Sequence, residues 1–483
     1  KDYFKSVSTD DIALMRVSHE ISKAESLRKR LSGGFDSQAR SRFGDLSSKV
    51  FEHLYAYAPM SMKDIDNLAI TLNMSYDEFV SYVRKTVTDA CVRSFNDRRS
   101  AEELVNRVAQ LLGLRKDPEL SEIVNKAVER NLSRVVRKLC SSIAPLTSYV
   151  ILRGDADDVG KVLSGRLTMS LSEYAEILRD YLKKESVVTG PEDVLEDAEK
   201  AYEAFVKIAE ALKIDGILIS PAWHSAASLS LMLSAISDYR SVRELDGLLV
   251  YSGGDDILAL LPVHSAIRAS LDLREGFTSN YFKKVNGVVV TSSLTTGRSF
   301  SVRFASLKDL MSEEMARAAE LLESLGKSVE WRCGSVTLRK DSLVVSDSRS
   351  NVVALLPNYT DATSYVSVDT CESAVRRPAV HDLVLKLFYA LYAGILSENF
   401  PRDLAEFVDG QAKHLSEDSL KVTVEHVLRR NLMPRLKDLE GKVLEALGRA
   451  PYCLRGSVER ERREVVAPLE IYVNLLLILR RYV

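Results

Sequence analysis

"LLVYSGGDDILALLP", Leu248–Pro262, decides how this chain is read. An apolar run ends at Tyr251, a second begins at Ile257, and Ser252, Gly253, Gly254, Asp255 and Asp256 lie between them. Two glycines bounded by apolar, strand-forming runs predict a tight hairpin. The adjacent aspartates leave two readings open. They are turn chemistry, or they hold metal ions against a nucleotide.

The flanking sequence places that hairpin in a larger unit. Upstream, "TSYVILRGDADDVGKVL" is a β-run that breaks into an acidic turn and a Gly-Lys segment. Charged helical stretches follow around Ser170–Lys184 and Pro191–Leu212. "SPAWHSAASLSLMLSAISDY" then opens on Ser-Pro, a good helix start, and stays apolar for several turns. After the hairpin, "VHSAIRASLDL" predicts a helix, "NGVVVTSS" and "SFSVRFAS" predict strands, and "SLKDLMSEEMARAAELLESLG" predicts a helix with a Ser start and a Gly stop. "SVTLR" and "SLVVS" predict a closing hairpin.

The resulting order is βαββαβ, the ferredoxin-like motif, so the fold class is α+β. The stretch preceding about Ala144 is patterned for helices, as in "SAEELVNRVAQLLGL" with its Ser cap and Glu three residues on. The chain is helical again beyond about Ala379. The expected organisation is a helical region over 1–147, a palm-type domain over 148–350 and a helical C-terminal domain over 351–483.

In a ferredoxin-like sheet the first and third strands are central neighbours. Asp155, Asp157 and Asp158, at the end of the first strand, therefore converge with Asp255 and Asp256 at the start of the third. Clustered carboxylates repel, and a bound cation is a usual resolution. Hard oxygen donors suit Mg²⁺ or Mn²⁺, and two such ions serve phosphoryl transfer. Gly253 and Gly254 fit this reading, because backbone without Cβ admits a bulky phosphate or ribose. The second acidic strand end tips the hairpin towards a metal-dependent nucleotide site.

Bulk properties bound the rest. The chain has 483 residues, 46% hydrophobic and 28% charged, enough for two to four domains with a sizeable core. Its formal net charge of −2, from 66 basic and 68 acidic residues, excludes a protein that is basic overall and grips nucleic acid alone. RNA contact is then expected only from local patches such as "RSFNDRRS", "RVVRKLC" and "RGSVERERRE", each of which reads first as a solvated helix face. Five cysteines without a CxxC pair argue against zinc and disulfide frameworks and for a reducing cytoplasm. No membrane-length apolar run and no secretory signal is present. The first residue is Lys1 rather than Met, which points to further sequence upstream.

"ILRGDADDVGKVLSG", "SPAWHSAAS", "LLVYSGGDDILALLP" and "SFSVRFASLKDL" occur in an order that resembles the large polymerase/cyclase subunit of type III CRISPR–Cas effector complexes, the Cmr type above all. That family's palm is related to nucleotide cyclases and GGDEF diguanylate cyclases. The resemblance covers roughly 148–345, and its most specific part is GGDD followed by "LALLP".

It implies synthesis of cyclic oligoadenylate from ATP, switched on when a guide-RNA complex captures a matching target RNA, with other complex subunits as partners. Asp155, Asp255 and Asp256 take the catalytic positions, and Asp155, the Ala156 carbonyl, Asp255 and Asp256 the Mg²⁺ or Mn²⁺ ligand positions. Gly253, Gly254, Asp157, Lys161, His224 and Ser225 fall near the nucleotide. The chain departs from many relatives in lacking an N-terminal HD nuclease motif and paired zinc cysteines. Its one His-Asp dipeptide, His381-Asp382, reads as part of an apolar helix. Two other readings stay open: a GGDEF-like cyclase using GTP, whose signature has Glu where Asp256 stands, and an inactive scaffold of the ribonucleoprotein. Ser299 and Arg303 lie near the fourth strand, and spacing assigns them no role.

Overall fold

The computed structural model describes residue 75 onward, apart from 113, 115–117, 143–147, 166–199, 201–202, 205, 209–210, 213–218, 246, 280–281, 286–287, 292–296, 307–308, 334–335, 356–379, 411, 448–455, 459–462, 466 and 483. The helical expectation for residues 1–74 and for Ser170–Lys184, and most of that for Pro191–Leu212, lie outside these residues.

Three helices open the described chain: α1 (Tyr76–Ser94), α2 (Arg98–Leu111) and α3 (Pro118–Ser142). The Ser75 hydroxyl accepts from the Glu78 amide while the Glu78 carboxylate takes the Ser75 amide, a complete capping box for α1. The start of α2 differs from the expected Ser100 cap. Asp97 takes the Ser100 amide at 3.0 Å, so the helix begins at Arg98 with Ser100 inside it.

The palm follows: β1 (Ser148–Ala156), the short α4 (Val159–Leu163), α5 (Pro221–Glu244), β2 (Leu248–Ser252), β3 (Ile257–Pro262), α6 (Ala266–Ser279), a side hairpin of β4 (Phe282–Val285) and β5 (Val288–Thr291), and β6 (Arg298–Ser306). Then come α7 (Met311–Leu321), a second side hairpin of β7 (Glu330–Cys333) and β8 (Val336–Arg339), and strands β9 (Ser342–Ser346) and β10 (Asn351–Leu355).

The sheet order is β10-β9-β6-β1-β3-β2. Its β6-β1-β3-β2 part is the fully antiparallel ferredoxin-like arrangement, with β1 between β3 and β6. β9 adds parallel to β6, and β10 adds antiparallel to β9, extending the sheet past position 350.

Three local expectations are corrected here. "SVTLR" does not pair with "SLVVS": β8 folds back on β7, and β9 is drawn into the main sheet. "NGVVVTSS" pairs with Phe282–Val285 in a side hairpin, off the main sheet. The helix after β6 starts at Met311 without a Ser cap and unwinds into a π turn over Leu322–Gly326. Asp309 instead takes the Ser306 amide in the connecting loop.

Strand alternation gives the sheet two unlike faces. Val150, Leu152, Ile257, Ala259, Leu261, Phe300, Val302 and Phe304 join the large core with Ile267 and Leu273 of α6. Tyr149, Ile151, Leu260 and Ala305 form a smaller cluster with Ala318 of α7.

The C-terminal helices are α8 (Val380–Tyr392), α9 (Phe400–Gly410), α10 (Glu417–Asn431), α11 (Glu440–Leu447) and, after the short β11 (Gly456–Val458) and β12 (Arg463–Val465), α12 (Ala467–Arg480). They pack with the N-terminal helices in one core. The Tyr389 hydroxyl donates to the Val105 carbonyl at 2.9 Å, Arg130 pairs with Asp438, and Lys442 reaches Glu122 at 3.0 Å. Phe304 of β6 stacks on Tyr482, centroids 4.6 Å apart, which seats the chain's end against the palm.

Cys91 of α1 and Cys140 of α3 form a disulfide, Cα atoms 5.7 Å apart, against the expectation of free thiols. Packing of the two helices brings together positions 49 residues apart, a pairing that no local cysteine spacing announces. Half of "RGSVERERRE" lies outside the described residues, and the other two expected basic patches are paired in part. Arg98 pairs with Glu102 and Glu129, Arg137 with Asp89, and Lys138 with Glu398. Among the described residues no helix is long and apolar enough to cross a membrane.

Candidate nucleotide and metal site

The end of β1 and the GGDD turn meet as the strand order requires. Gly154 is opposite Ile257, and the Ala156 amide donates to the Asp255 carbonyl at 3.1 Å. The Gly253 amide donates to the Asp256 carbonyl at 3.0 Å and closes the turn. Gly254 has φ +95°, and a Cβ there would lie 2.1 Å from the Leu231 carbonyl oxygen of α5. Its glycine is therefore needed twice, for backbone hand and for helix approach.

A buried arginine holds this turn, and sequence spacing did not single it out. The Arg298 guanidinium makes a two-pronged pair with Asp238 of α5, at 2.9 and 3.0 Å, while its Nε donates to the Asp255 carbonyl at 3.1 Å. Arg298 is fully buried, with the rings of Phe277 and Phe300 5.2 and 5.6 Å from its guanidinium carbon. Ser252 adds a hydroxyl bond to Asp238 at 2.8 Å. The hint in the sequence is an Arg opening a strand in which Phe and Val alternate with Ser and a second Arg.

Asp155 and Asp256 both border the sheet face that carries Arg153. The Asp155 carboxylate meets the Lys327 ammonium, which follows directly on the π turn. Burial first, then Lys340 and Arg153, hold the Lys327 ammonium below the usual lysine range. The Asp255 and Asp256 carboxylates make no hydrogen bond or ion pair among the described residues. Burial and the neighbouring Asp255 push Asp256 above the ordinary carboxylate value, with Arg153 and Arg298 opposing.

The other acids of the first cluster are already satisfied. Asp157, placed near the nucleotide on sequence grounds, is only 4% exposed. It accepts from the Ser299 hydroxyl at 3.0 Å and the Asp341 amide at 2.9 Å. Burial, with Asp341 adding, pushes its carboxyl up to about 7. Asp158, at φ +55°, pairs with Lys340 at 2.8 Å and Lys161 at 3.1 Å. Burial raises its pKa, but those two lysines outweigh it and leave the group below its ordinary value.

Lys161 is exposed on α4, tied to Asp158. His224 and Ser225 are exposed near the start of α5, and their side chains make no hydrogen bond or ion pair with these acids among the described residues. His381 and Asp382 lie at the start of α8. Ser299 and Arg303 acquire roles: Ser299 binds Asp157, and Arg303 forms a buried pair with Glu314 at 2.5 Å.

Among the described residues, no group of three His, Cys, Asp or Glu side chains closes into a metal-binding cluster as it stands. The donor set nevertheless fits a hard divalent cation. Two unpartnered carboxylates repel each other beside a third, and that third already attracts an ammonium cation. Asp155, Asp255 and Asp256, with the Ala156 carbonyl at the strand end, are the groups that would hold it.

Residues 148–333 match the family described as Cas10/Cmr2, second palm domain. The "CRISPR system CMR subunit Cmr2" of Saccharolobus solfataricus is 24% identical over 63% of this chain and 30% of its own length. The "CRISPR system Cmr subunit Cmr2" of Pyrococcus furiosus is 29% identical over 38% of this chain and 18% of its own. The chain thus spans less than a third of these relatives. A solved structure titled "Cryo-EM structure of the Type III-B Cmr-beta bound to cognate target RNA" matches with TM-score 0.51 and 17% identity, over 89% of this chain and 51% of that one. That last likeness is one of fold.

Proposed function

We propose, from the match of residues 148–333 to the Cas10/Cmr2 second palm domain, that this chain is the nucleotidyltransferase part of the large subunit of a type III CRISPR effector complex, making cyclic oligoadenylate from ATP. Other subunits, guide RNA and target RNA are its partners, and the cytoplasm is its compartment. The observation that carries this reading is the pair of carboxylates, Asp255 and Asp256, unpartnered among the described residues on a turn whose Asp255 carbonyl is held by Arg298 beside the end of β1.

In the reaction a ribose 3′-oxygen bonds to the α-phosphorus of an ATP, the bond to the β-phosphate oxygen breaks, and pyrophosphate leaves with the electron pair. The hydroxyl proton passes to solvent. When bound, two divalent ions stabilise the attacking and leaving oxygens. The chain's part is to hold Asp155, Asp255 and Asp256 in one place. The Arg298 clasp fixes the backbone of Asp255, so little reorganisation remains when the nucleotide arrives. A GTP-using cyclase and an inactive scaffold are the competing outcomes of the test.

In the assembled complex with target RNA, Mg²⁺ or Mn²⁺ and labelled nucleotide, cyclic product is expected from ATP. Asp255→Asn together with Asp256→Asn is expected to lower its rate on the order of a thousandfold. Product from GTP alone would favour the GGDEF-like reading. No product from either nucleotide would favour the scaffold.

A further inference from the structure

The protein pairs its deeply buried guanidiniums. Arg274 meets Asp341, Arg298 meets Asp238, and Arg303 meets Glu314. Arg153 breaks this pattern. It lies on the central strand β1, opposite Leu258 on one side and Ser301 on the other, and is partly buried. It makes no hydrogen bond or ion pair among the described residues, and it acts electrostatically on Asp256 and Lys327. The Ser301 hydroxyl, in register with it, is buried and also lacks a hydrogen-bond partner among these residues. Partial burial of an unpaired guanidinium is costly, and an anionic ligand would offset that cost.

Lys327 complements it. Its ammonium is held by Asp155, with Glu323 at 3.6 Å as a second, exposed partner. Once Asp155 takes up a divalent ion, Lys327 loses its main counter-charge. Charge counting then decides the ligand. Asp155, Asp255 and Asp256 against Arg153 and Lys327 leave one net negative charge, and two divalent ions reverse it to three positive. A triphosphate carries about four negative charges at neutral pH, which restores near-neutrality. Metal alone therefore overcharges the site, and the anion must come with it.

We propose that Arg153 and Lys327 form a polyphosphate-binding wall, the guanidinium fork gripping the outer phosphates and the ammonium transferring to them from Asp155. This wall rests on the nucleotidyl-transfer reading and adds where the leaving pyrophosphate is held. A fork suits two phosphate oxygens at once, which an ammonium cannot match.

The test uses the full chain, Mn²⁺ and inorganic pyrophosphate, followed by calorimetry and by Mn²⁺ electron paramagnetic resonance. Arg153→Met is expected to weaken Mn²⁺–pyrophosphate binding roughly tenfold or more, with Arg153→Lys recovering only part of it. Lys327→Met is expected to act with opposite signs: tighter Mn²⁺ without pyrophosphate, because a competing cation is gone, and weaker Mn²⁺–pyrophosphate. Unchanged melting points show that folding is not the cause. If both Met variants bind Mn²⁺–pyrophosphate as the wild type does, the wall is overturned while the metal site stands. If the wild type shows no Mn²⁺ uptake that depends on Asp255 and Asp256, the nucleotidyl-transfer reading fails and takes the wall with it.

Discussion

The two acidic strand ends of the palm carry similar residues and balance them differently. In "RGDADD" every carboxylate has an internal partner: Asp155 has Lys327, Asp157 has Ser299 and the Asp341 amide, and Asp158 has Lys340 and Lys161. In "GGDD" the backbone is held tightly, by the Ala156 amide and Arg298, while both carboxylates stay without partners among the described residues. A fold that fixes a backbone and leaves its charged side chains unpaired has prepared a place for an external cation. The first cluster therefore supplies one movable ligand, Asp155, and a frame. The second supplies the open donors.

The contrast breaks hardest at its clasp. Arg298→Met should cost about 3–5 kcal/mol of stability, because Asp238 is then buried without its counter-charge. Chemical denaturation would measure it, and a cost under about 1 kcal/mol would mean the clasp is dispensable. A smaller effect is expected far from the turn, where Asp347 caps the palm by accepting from Arg481 and the amides of Arg349 and Ser350. Burial opposes its ionisation, but these bonds prevail and hold it below the ordinary value. Its stabilisation is thus present above the ordinary carboxylate range and is lost as pH falls. Asp347→Asn should cost about 1–2 kcal/mol at pH 7, and the gap from wild type should close below about pH 4. The smallest change belongs to Lys161→Ala. Its exposed pair with Asp158 is shared with Lys340, so stability should move by less than about 0.5 kcal/mol.

The sequence makes some of this comparison legible. Short continuous apolar runs around "GGDD" and "SYVILR" define β3 and β1, and the βαββαβ order makes those two strands neighbours, with Gly154 opposite Ile257. It does not reveal which acid turns inward. Asp155 and Asp157 are two apart on one strand end, and only Ser299 and the Asp341 amide, both more than 140 positions away, make Asp157 internal. Arg298 and Asp238 are likewise 60 positions apart, and Lys327 enters because α7 ends in a π turn. Strand β9 escaped for a related reason. A short apolar run such as "SLVVS" pairs equally well with an adjacent strand or a distant one, and the edge of β6 was open to it.

The central claim is that Asp255 and Asp256 are held open for divalent cations. Mn²⁺ titration of the full chain with pyrophosphate present, read by electron paramagnetic resonance, tests it most directly. The account predicts saturable binding that Asp255→Asn with Asp256→Asn abolishes and that Asp158→Asn, in the satisfied cluster, leaves nearly unchanged. Equal Mn²⁺ binding by the wild type and the Asp255/Asp256 double variant would contradict it.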